Sequence, residues 1–346
     1  MKSRSMYLTY SIAWLGGWLF SLLHVPIPWI LGPVTTIIFM KFFGKAESKV
    51  LPGARDLAFT LLGIQIGLTF SSHTFTYIVP YLVPYTILSL FMIVVSLMIG
   101  LYISKMTSVD KTTSLVGSSP GGLSAMIAVS ESLNGNSALV TIFHTLRLLS
   151  VLFILPFFVT HMLSESSSAA VEPHALTVND GSIWTILIYL FAFALGWKWQ
   201  HRIPASLVIV PMLLIGFLQT VGLTFFQLPD FLFVLAQLLI GTFLGHTISL
   251  GDIIKAGKTC LYFLTLAIFM IVLGIGLSFL LAAWTGMDII TAVLSLAPGG
   301  LVEMAITAEQ TGGQPAIVSS LQTIRLLTII LVLPLIFQKY KTYLNG

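Results

Sequence analysis

Apolar residues fill this chain in long blocks, and short polar or basic stretches separate them. The blocks show no polar face at helical spacing. A helix that is apolar all round is buried in a large core or lies in lipid. About 20 such residues cross the hydrocarbon of a bilayer. The pattern predicts membrane helices at residues 5–23, 28–43, 56–75, 80–104 and 137–161, and again at 182–199, 204–226, 229–250, 260–284 and 315–338. Two further segments, 112–133 and 288–312, each hold Pro-Gly-Gly near the middle. Proline lacks the amide donor and glycine loosens the backbone, so the triplet breaks a helix. The resulting pieces are about 8 and 11 residues long, each about half a bilayer at ~1.5 Å per residue. That geometry predicts a re-entrant hairpin or a broken helix.

The blocks occur twice. Pro120-Gly121-Gly122-Leu123, Met126, Glu131, Thr145, Arg147, Leu148, Leu149 and Pro156 are matched, at a shift of 178, by Pro298-Gly299-Gly300-Leu301, Met304, Glu309, Thr323, Arg325, Leu326, Leu327 and Pro334. Gly63 and Gly67 are matched by Gly241 and Gly245 at the same shift, and Ile27-Pro28 is echoed by Ile203-Pro204. Charged and helix-breaking residues at matching places in apolar sequence predict an internal duplication. The boundaries follow: a first membrane repeat at 1–163, an extracytoplasmic linker at 164–181 and a second membrane repeat at 182–346.

Composition supports the same class. The chain is 57% hydrophobic and 8% charged, against roughly 25% charged residues in soluble domains. It is net positive by 4, but no Lys/Arg cluster forms a soluble face, so nucleic acid is not an expected partner. Apart from Arg147 and Arg325, which fall inside predicted membrane helices, its Lys and Arg residues lie in or beside the loops. Place the N-terminus inside, and let both Pro-Gly-Gly segments enter and return on one side. Then Lys2, Arg4, Lys41 to Arg55, Lys105, Lys111, Lys198, Arg202, Lys255, Lys258, Lys339 and Lys341 all fall on the cytoplasmic side, as short basic loops do. The linker, with Glu165, Glu172 and Asp180 but no Lys or Arg, falls outside. If both segments crossed fully, Lys198, Arg202, Lys255 and Lys258 would fall outside.

The predicted fold class is therefore an all-α polytopic membrane protein of two inverted repeats. Each has five transmembrane helices plus one re-entrant or broken Pro-Gly-Gly helix, and both termini are cytoplasmic. Inverted repeats typify secondary transporters, whose sites lie near the midplane at discontinuous helices. Lys2 and Arg4 ahead of residues 7–23 also resemble a signal-peptide start, but no small-residue cleavage site follows, so the run is read as the first membrane helix.

The candidate substrate site is Pro120, Gly121, Gly122, Ser124 and Arg147 with Pro298, Gly299, Gly300 and Arg325. Ser118 and Ser119 add hydroxyls in the first half. The helical piece after each Pro-Gly-Gly begins near mid-membrane, where free amides and the helix dipole attract anions. Arginine grips a carboxylate or phosphate in two-pronged fashion. A small organic anion is the expected ligand. A competing reading pairs each arginine with Glu131 or Glu309 as structural glue. Glu131, Glu303 and Glu309 are candidates for proton coupling, since intramembrane carboxyls form proton relays; Glu131 and Glu309 at wet hairpin exits is the alternative. His144, its counterpart Gln322, and Gln65 are read as polar cavity positions, against a hydrogen-bonded structural role.

Enzyme signatures are missing. There is no His-Glu-x-x-His, and Gly117-Ser118-Ser119-Pro120 is not a Gly-x-Ser-x-Gly elbow. Gly251-Asp252 resembles half of an intramembrane aspartyl site without its partner motif. The lone Cys260 reads as a small hydrophobe, and no Cys/His set has zinc spacing. No metal and no cofactor are expected.

The duplicated Pro-Gly-Gly…Glu…Thr-x-Arg-Leu-Leu…Leu-Pro pattern, with Ile-Pro and Gly-x-x-x-Gly upstream in each half, resembles the AbrB family of bacterial membrane proteins, which is distinct from the soluble DNA-binding regulator of that name. Its members carry two homologous halves and are often labelled transporters or ammonia monooxygenases. The resemblance implies a protein of the bacterial inner membrane. An oxygenase label implies copper or another redox metal, and no ligand set for one stands in the sequence. The expectation is a secondary active transporter moving a small, anionic organic solute by alternating access, coupled to protons or sodium. A channel or passive facilitator on the same scaffold is the alternative, and a membrane-bound monooxygenase comes third. Expected partners are the solute and the lipid bilayer. The Gly-x-x-x-Gly faces serve either a homodimer or packing within one chain.

Overall fold

A computed structural model describes residues 2–44, 48–163, 181–200 and 202–339. Residues 164–180 of the acidic linker, and the side chains of Ser124, Asp252 and Lys255, lie outside the described residues. Among the described residues the chain is helical and contains no strand. The first half comprises α1 (Lys2–Leu22), α2 (Pro28–Gly44), α3 (Ala54–Leu68), α4 (Thr74–Met106), α5 (Lys111–Ser118), α6 (Leu123–Ser132) and α7 (Ser137–Phe158). The second comprises α8 (Ile186–Lys198), α9 (Ser206–Thr220), α10 (Asp230–Thr247), α11 (Leu250–Ala256), α12 (Lys258–Thr285), α13 (Ile289–Leu296), α14 (Leu301–Thr311) and α15 (Pro315–Lys339).

The shift of 178 reappears in the helix bounds. Both ends of α5 and α13, and the starts of α7 and α15, differ by that number. Backbone irregularities repeat as well. Ile27 (φ 42) and Ala205 (φ 51) open α2 and α9 in the left-handed region, and Asn134 (φ 59) and Gly312 (φ 82) follow α6 and α14. A β-branched residue at positive φ is strained; the fully buried Ile27 is held there while its amide donates to Gln310 Oε1 at 2.9 Å.

Four expected boundaries need correction. The third helix ends at Leu68, because the Thr69 hydroxyl turns back to the Ile66 carbonyl at 2.7 Å and Ser71 N–H meets Thr74 Oγ1 at 2.8 Å. The fourth begins at Thr74 and carries Pro80 and Pro84 inside it; lipid leaves the chain no cheaper way to satisfy its amides than to stay helical. The ninth stops at Thr220, after which Phe226 bonds to Thr185 Oγ1 and accepts from the Tyr189 hydroxyl. The expected loop at 252–258 is helix α11, cut from α12 by Gly257 at φ 56.

Among the described residues, five stretches are long and apolar enough to cross a membrane: Thr74–Met106, Ser137–Leu163, Asp230–Thr247, Lys258–Thr285 and Pro315–Leu333. Pro28–Phe43, Ile183–Lys198 and Ser206–Thr220 are shorter apolar helices. On α4, Val79, Val83, Ile87, Phe91, Val94, Met98 and Tyr102 form an exposed stripe at helical spacing. A face of that length and chemistry needs an apolar solvent, and a bilayer supplies one.

The helices form two compact units, each drawn from both sequence halves: Met1–Thr76 with Pro156–Leu250 and Ala305–Ala316, and Tyr77–Leu155 with Gly251–Met304 and Ile317–Gly346. In the first unit the packing is reciprocal. A Cβ placed on Gly63 would lie 2.6 Å from the Val208 carbonyl, and one on Gly241 would lie 2.6 Å from the Ile30 carbonyl. Gly67 abuts Met212 and Ile215, and Gly245 abuts Val34 and Ile37. Each contact is the other with 178 added to one partner and removed from the other. The glycine faces therefore serve packing inside this chain, with α3 against α9 and α2 against α10. Helix ends follow the rule too. Lys41 Nζ donates to the Gly245, His246 and Ile248 carbonyls at 3.2, 2.6 and 2.7 Å, and its counterpart Gln219 donates to the Leu68 carbonyl at 2.8 Å. Both satisfy carbonyls that a helix C-terminus leaves over.

In the second unit, α5 and α6 fold as a hairpin. Asn136 N–H donates to Thr113 Oγ1 at 2.7 Å, so the chain returns beside its starting point. Asp110 and Asp288 cap α5 and α13 by accepting from the Thr113 and Thr291 amides at 2.8 and 2.9 Å. A side-chain oxygen at that position satisfies amides the first turn leaves over.

Candidate functional site

The second unit brings both Pro-Gly-Gly breaks to one place: Pro120 and Pro298 line the same pocket. Each break ends one short helix and starts another, and the first of the pair is left with free carbonyls. The arginines satisfy these carbonyls. Arg147 donates to the Ser119 and Gly121 carbonyls at 2.6 and 2.9 Å. Arg325 donates to the Ala297 and Gly299 carbonyls at 2.6 and 3.2 Å, and more weakly to Leu296 at 3.4 Å. The geometry is one motif used twice. A guanidinium that spends its forked donors on backbone oxygens holds a broken helix in shape and leaves positive charge at the break.

His144 and Gln322 are also equivalent. His144 Nε2 contacts the Val116 carbonyl at 3.1 Å, and Gln322 Nε2 donates to the Leu294 carbonyl at 2.7 Å. Both tie the arginine helix to the helix before the break. They differ in the remaining atom. Gln322 Oε1 accepts from Arg325 at 3.1 Å, whereas His144 Nδ1 and Arg147 Nε are buried without a hydrogen-bond partner.

Gly121 and Gly299 lie where Met126 and Met304 fold back against the break, and Ser119 Oγ contacts Met126 Sδ at 2.8 Å. Gly122 caps α6 without any side-chain hydrogen bond. The equivalent Gly300 is covered by the Glu303 carboxylate, which bonds back to its own amide. A carboxylate three residues into a helix is well placed to complement free N-terminal amides. The second break thus carries its own anion, and the first, with Ala125 at that position, does not.

The pocket is lined by Ser96, Gly117, Ser118, Pro120, Phe143, Arg147, Phe263, Leu266, Ala267, Met270 and Pro298. Phe143 and Phe263 stack with ring centres 3.5 Å apart. Ser96 Oγ donates to the Ser118 carbonyl at 2.6 Å and Ser118 Oγ to the Leu115 carbonyl at 2.9 Å. Apolar walls therefore surround a few polar groups, each already fixed by a hydrogen bond.

The remaining residues fall elsewhere. Glu131 is exposed in the last turn of α6. Glu309 belongs to the first unit, where Gln65 Nε2 donates to both of its carboxylate oxygens at 3.0 and 2.9 Å. Among the described residues no group of His, Cys, Asp and Glu has the makings of a metal site. Sequence reasoning passed over Phe143, Phe263, Leu266, Ala267 and Met270, because an apolar residue in a membrane helix carries no signal by itself. Only comparison with its counterpart in the other half gives it one.

The family model described as "Transition state regulatory protein AbrB" matches residues 2–70 and 29–341. The chain belongs to the AbrB family. Its similarity runs to "Putative regulator AbrB" of Escherichia coli (strain K12), 27% identical over 94% of this chain and 93% of that protein. It also runs to "Uncharacterized protein YhjN" of Bacillus subtilis (strain 168), 25% identical over 92% of this chain and 88% of that protein. No solved structure matches the chain. AbrB-family membership spans almost the entire sequence, so the paired breaks and their arginines lie within the matched region.

Proposed function

We propose that this chain is a secondary active transporter that moves a small organic anion across the bacterial inner membrane by alternating access. One observation carries the proposal: broken helices from both halves, each pinned by an arginine, line a single pocket in one compact unit. Discontinuous helices meeting at the repeat interface are how secondary transporters build a midplane site. In this reading each half contributes five crossings and one re-entrant hairpin, and an odd number of crossings inverts the second half. The Thr113–Asn136 contact supports the hairpin, because a segment that returns to its start does not cross. Reciprocal glycine contacts support a two-fold relation between halves, which is the signature of a self-complementary interface. Both termini then lie in the cytoplasm.

The proposed division of roles is as follows. Arg147 and Arg325 supply positive charge and hold the breaks. Gly122 presents unblocked amides of α6 to the solute, with Ser124 on its first turn. Glu303 and Glu309 are the coupling candidates, as a buried carboxylate and a glutamine-bound one. The test is uptake into proteoliposomes with labelled small carboxylates under an imposed proton or sodium gradient. The expected result is accumulation above the external concentration, abolished by a protonophore or by sodium removal. Equilibration without accumulation would refute active transport.

A further inference from the structure

The Pro-Gly-Gly segments carry three glutamates, and the structure treats each differently. Glu303 lies over Gly300 and bonds back to its own amide, so its carboxylate is spent on the start of α14. Glu131 is exposed, and Phe243 stands at the position that mirrors Gln65. Glu309, in the last turn of α14, faces a neutral amide. One nitrogen, Gln65 Nε2, donates to both of its carboxylate oxygens at 3.0 and 2.9 Å, while Gln65 Oε1 is buried without a hydrogen-bond partner. The next residue fixes this end of α14, because Gln310 Oε1 accepts from the Ile27 amide at 2.9 Å. Ile27, Gln65, Glu309 and Gln310 all belong to the first unit.

Nothing balances a charge at this place. Among the described residues no basic side chain forms an ion pair with Glu309. The charged group within electrostatic reach is Asp230 at the start of α10, itself an acid. Gln65 on α3 and the Ile27 amide at the head of α2 are neutral, and His24, in the turn before α2, is exposed. An ionised Glu309 uses the amide N–H groups but leaves the amide oxygen stranded, and a stranded buried acceptor costs free energy. Turning the amide over brings its oxygen against a carboxylate oxygen. A protonated Glu309 removes the conflict. Its O–H donates to Gln65 Oε1 and its carbonyl oxygen accepts from Gln65 Nε2, so acid and amide satisfy each other. The terminal torsion of glutamine is soft enough for the tilt this needs. A hard metal cation gathers about six oxygens. With Gln310 Oε1 taken, the side chains in contact here offer the two of Glu309 and the one of Gln65.

We infer that Glu309 takes up the coupled proton and that Gln65 holds it there in a cyclic acid–amide pair. Gln65 acts as a positioning residue, and the exposure of Glu309 lets its proton exchange with water. This deepens the transport reading proposed above, choosing a proton over sodium and Glu309 over Glu303. It rests on that reading for the coupling, though not for the protonation.

The test is infrared difference spectroscopy of the purified full-length protein titrated with acid, with no solute present. Near neutral pH the wild type is expected to show a carboxylic-acid C=O band that Glu309→Gln removes and Glu131→Gln keeps. In Gln65→Leu the band is expected to move to higher frequency, because the acid has lost its amide partner. Unfolding temperature gives a second reading. A carboxyl that keeps its proton in the native state after the unfolded chain has released it makes stability fall as pH rises. Glu309→Gln retains the amide contact at every pH. The margin by which it exceeds the wild type is therefore expected to widen between about pH 5 and about pH 8, above the ordinary glutamate range. Groups common to both proteins, His24 among them, cancel in that comparison. Absence of the band, a band that Gln65→Leu leaves in place, or a margin that does not widen would overturn the inference. Proton-driven accumulation in proteoliposomes that survives Glu309→Gln would overturn the coupling role. Protonation of Glu309 in a protein that accumulates no solute would leave the proton site standing and sink the transport reading instead.

Discussion

Arg325→Ala is expected to lower the unfolding free energy by about 3–5 kcal/mol, since it loses three hydrogen bonds of 3.2 Å or less from a charged group, each contributing roughly 1.5–3 kcal/mol, and relief of burying the charge offsets part of that sum. Arg147→Ala is expected to cost less, about 2–3 kcal/mol, since hydrogen bonds to charged groups contribute roughly 1.5–3 kcal/mol each and removal of a buried charge offsets part of the loss. The ranking follows from the partners. Arg325 serves Leu296, Ala297, Gly299 and Gln322, whereas Arg147 serves Ser119 and Gly121. Each substitution strands carbonyls at a break where no helix amide is available. Lysine does not rescue fully, because a point charge cannot hold two carbonyls in the geometry of a fork. Denaturant unfolding in detergent micelles measures the ranking, and an Arg147 variant less stable than the Arg325 variant would contradict it.

Gly63→Leu and Gly241→Leu are expected to destabilise by similar amounts, each at least about 1–3 kcal/mol, the usual cost of overpacking. At both positions an added Cβ meets a carbonyl oxygen at 2.6 Å and a Cα at 3.0 Å on the facing helix. A backbone obstacle cannot move aside by changing rotamer, so the helices must separate. Gly67→Ala is expected to be milder, since its tightest contact is 3.0 Å. Unfolding of the two leucine variants side by side checks this. A large effect at only one of them would break the reciprocity on which the two-fold relation rests.

Much of this architecture was legible before any coordinates, for identifiable reasons. Apolar blocks and the Pro-Gly-Gly triplets set most helix ends, because lipid forces a chain to stay helical and proline with glycine is what interrupts it. The misplaced ends show where that logic weakens. Pro80 looked like a helix start and lies inside α4, and Gly257 gave no sign of dividing α11 from α12. Conformation there is set by neighbours and by φ, neither of which a hydropathy pattern encodes. The arginines stand out in the sequence as charges inside apolar segments, and the competing sequence readings give them carboxylates or a ligand to hold. Their partners in the structure are carbonyls, and sequence does not display which carbonyls a break sets free. Glu303 has Ala125 at the matching position of the first half, and its place over Gly300 gives that asymmetry a physical meaning. Met126 and Met304, matched in sequence without an assigned role, prove to pack against Gly121 and Gly299.

The account depends most on the second half being upside down relative to the first. Asn136 and Gln314 are exposed equivalents across the shift of 178, each following a Pro-Gly-Gly segment. With Cys260 replaced by serine, single cysteines at these two positions can be probed in intact cells with a membrane-impermeant thiol reagent. An inverted pair predicts labelling of the Gln314 position from outside, and protection of the Asn136 position until the cells are permeabilised. Labelling of both from the same side would contradict the inversion, and with it the alternating-access mechanism.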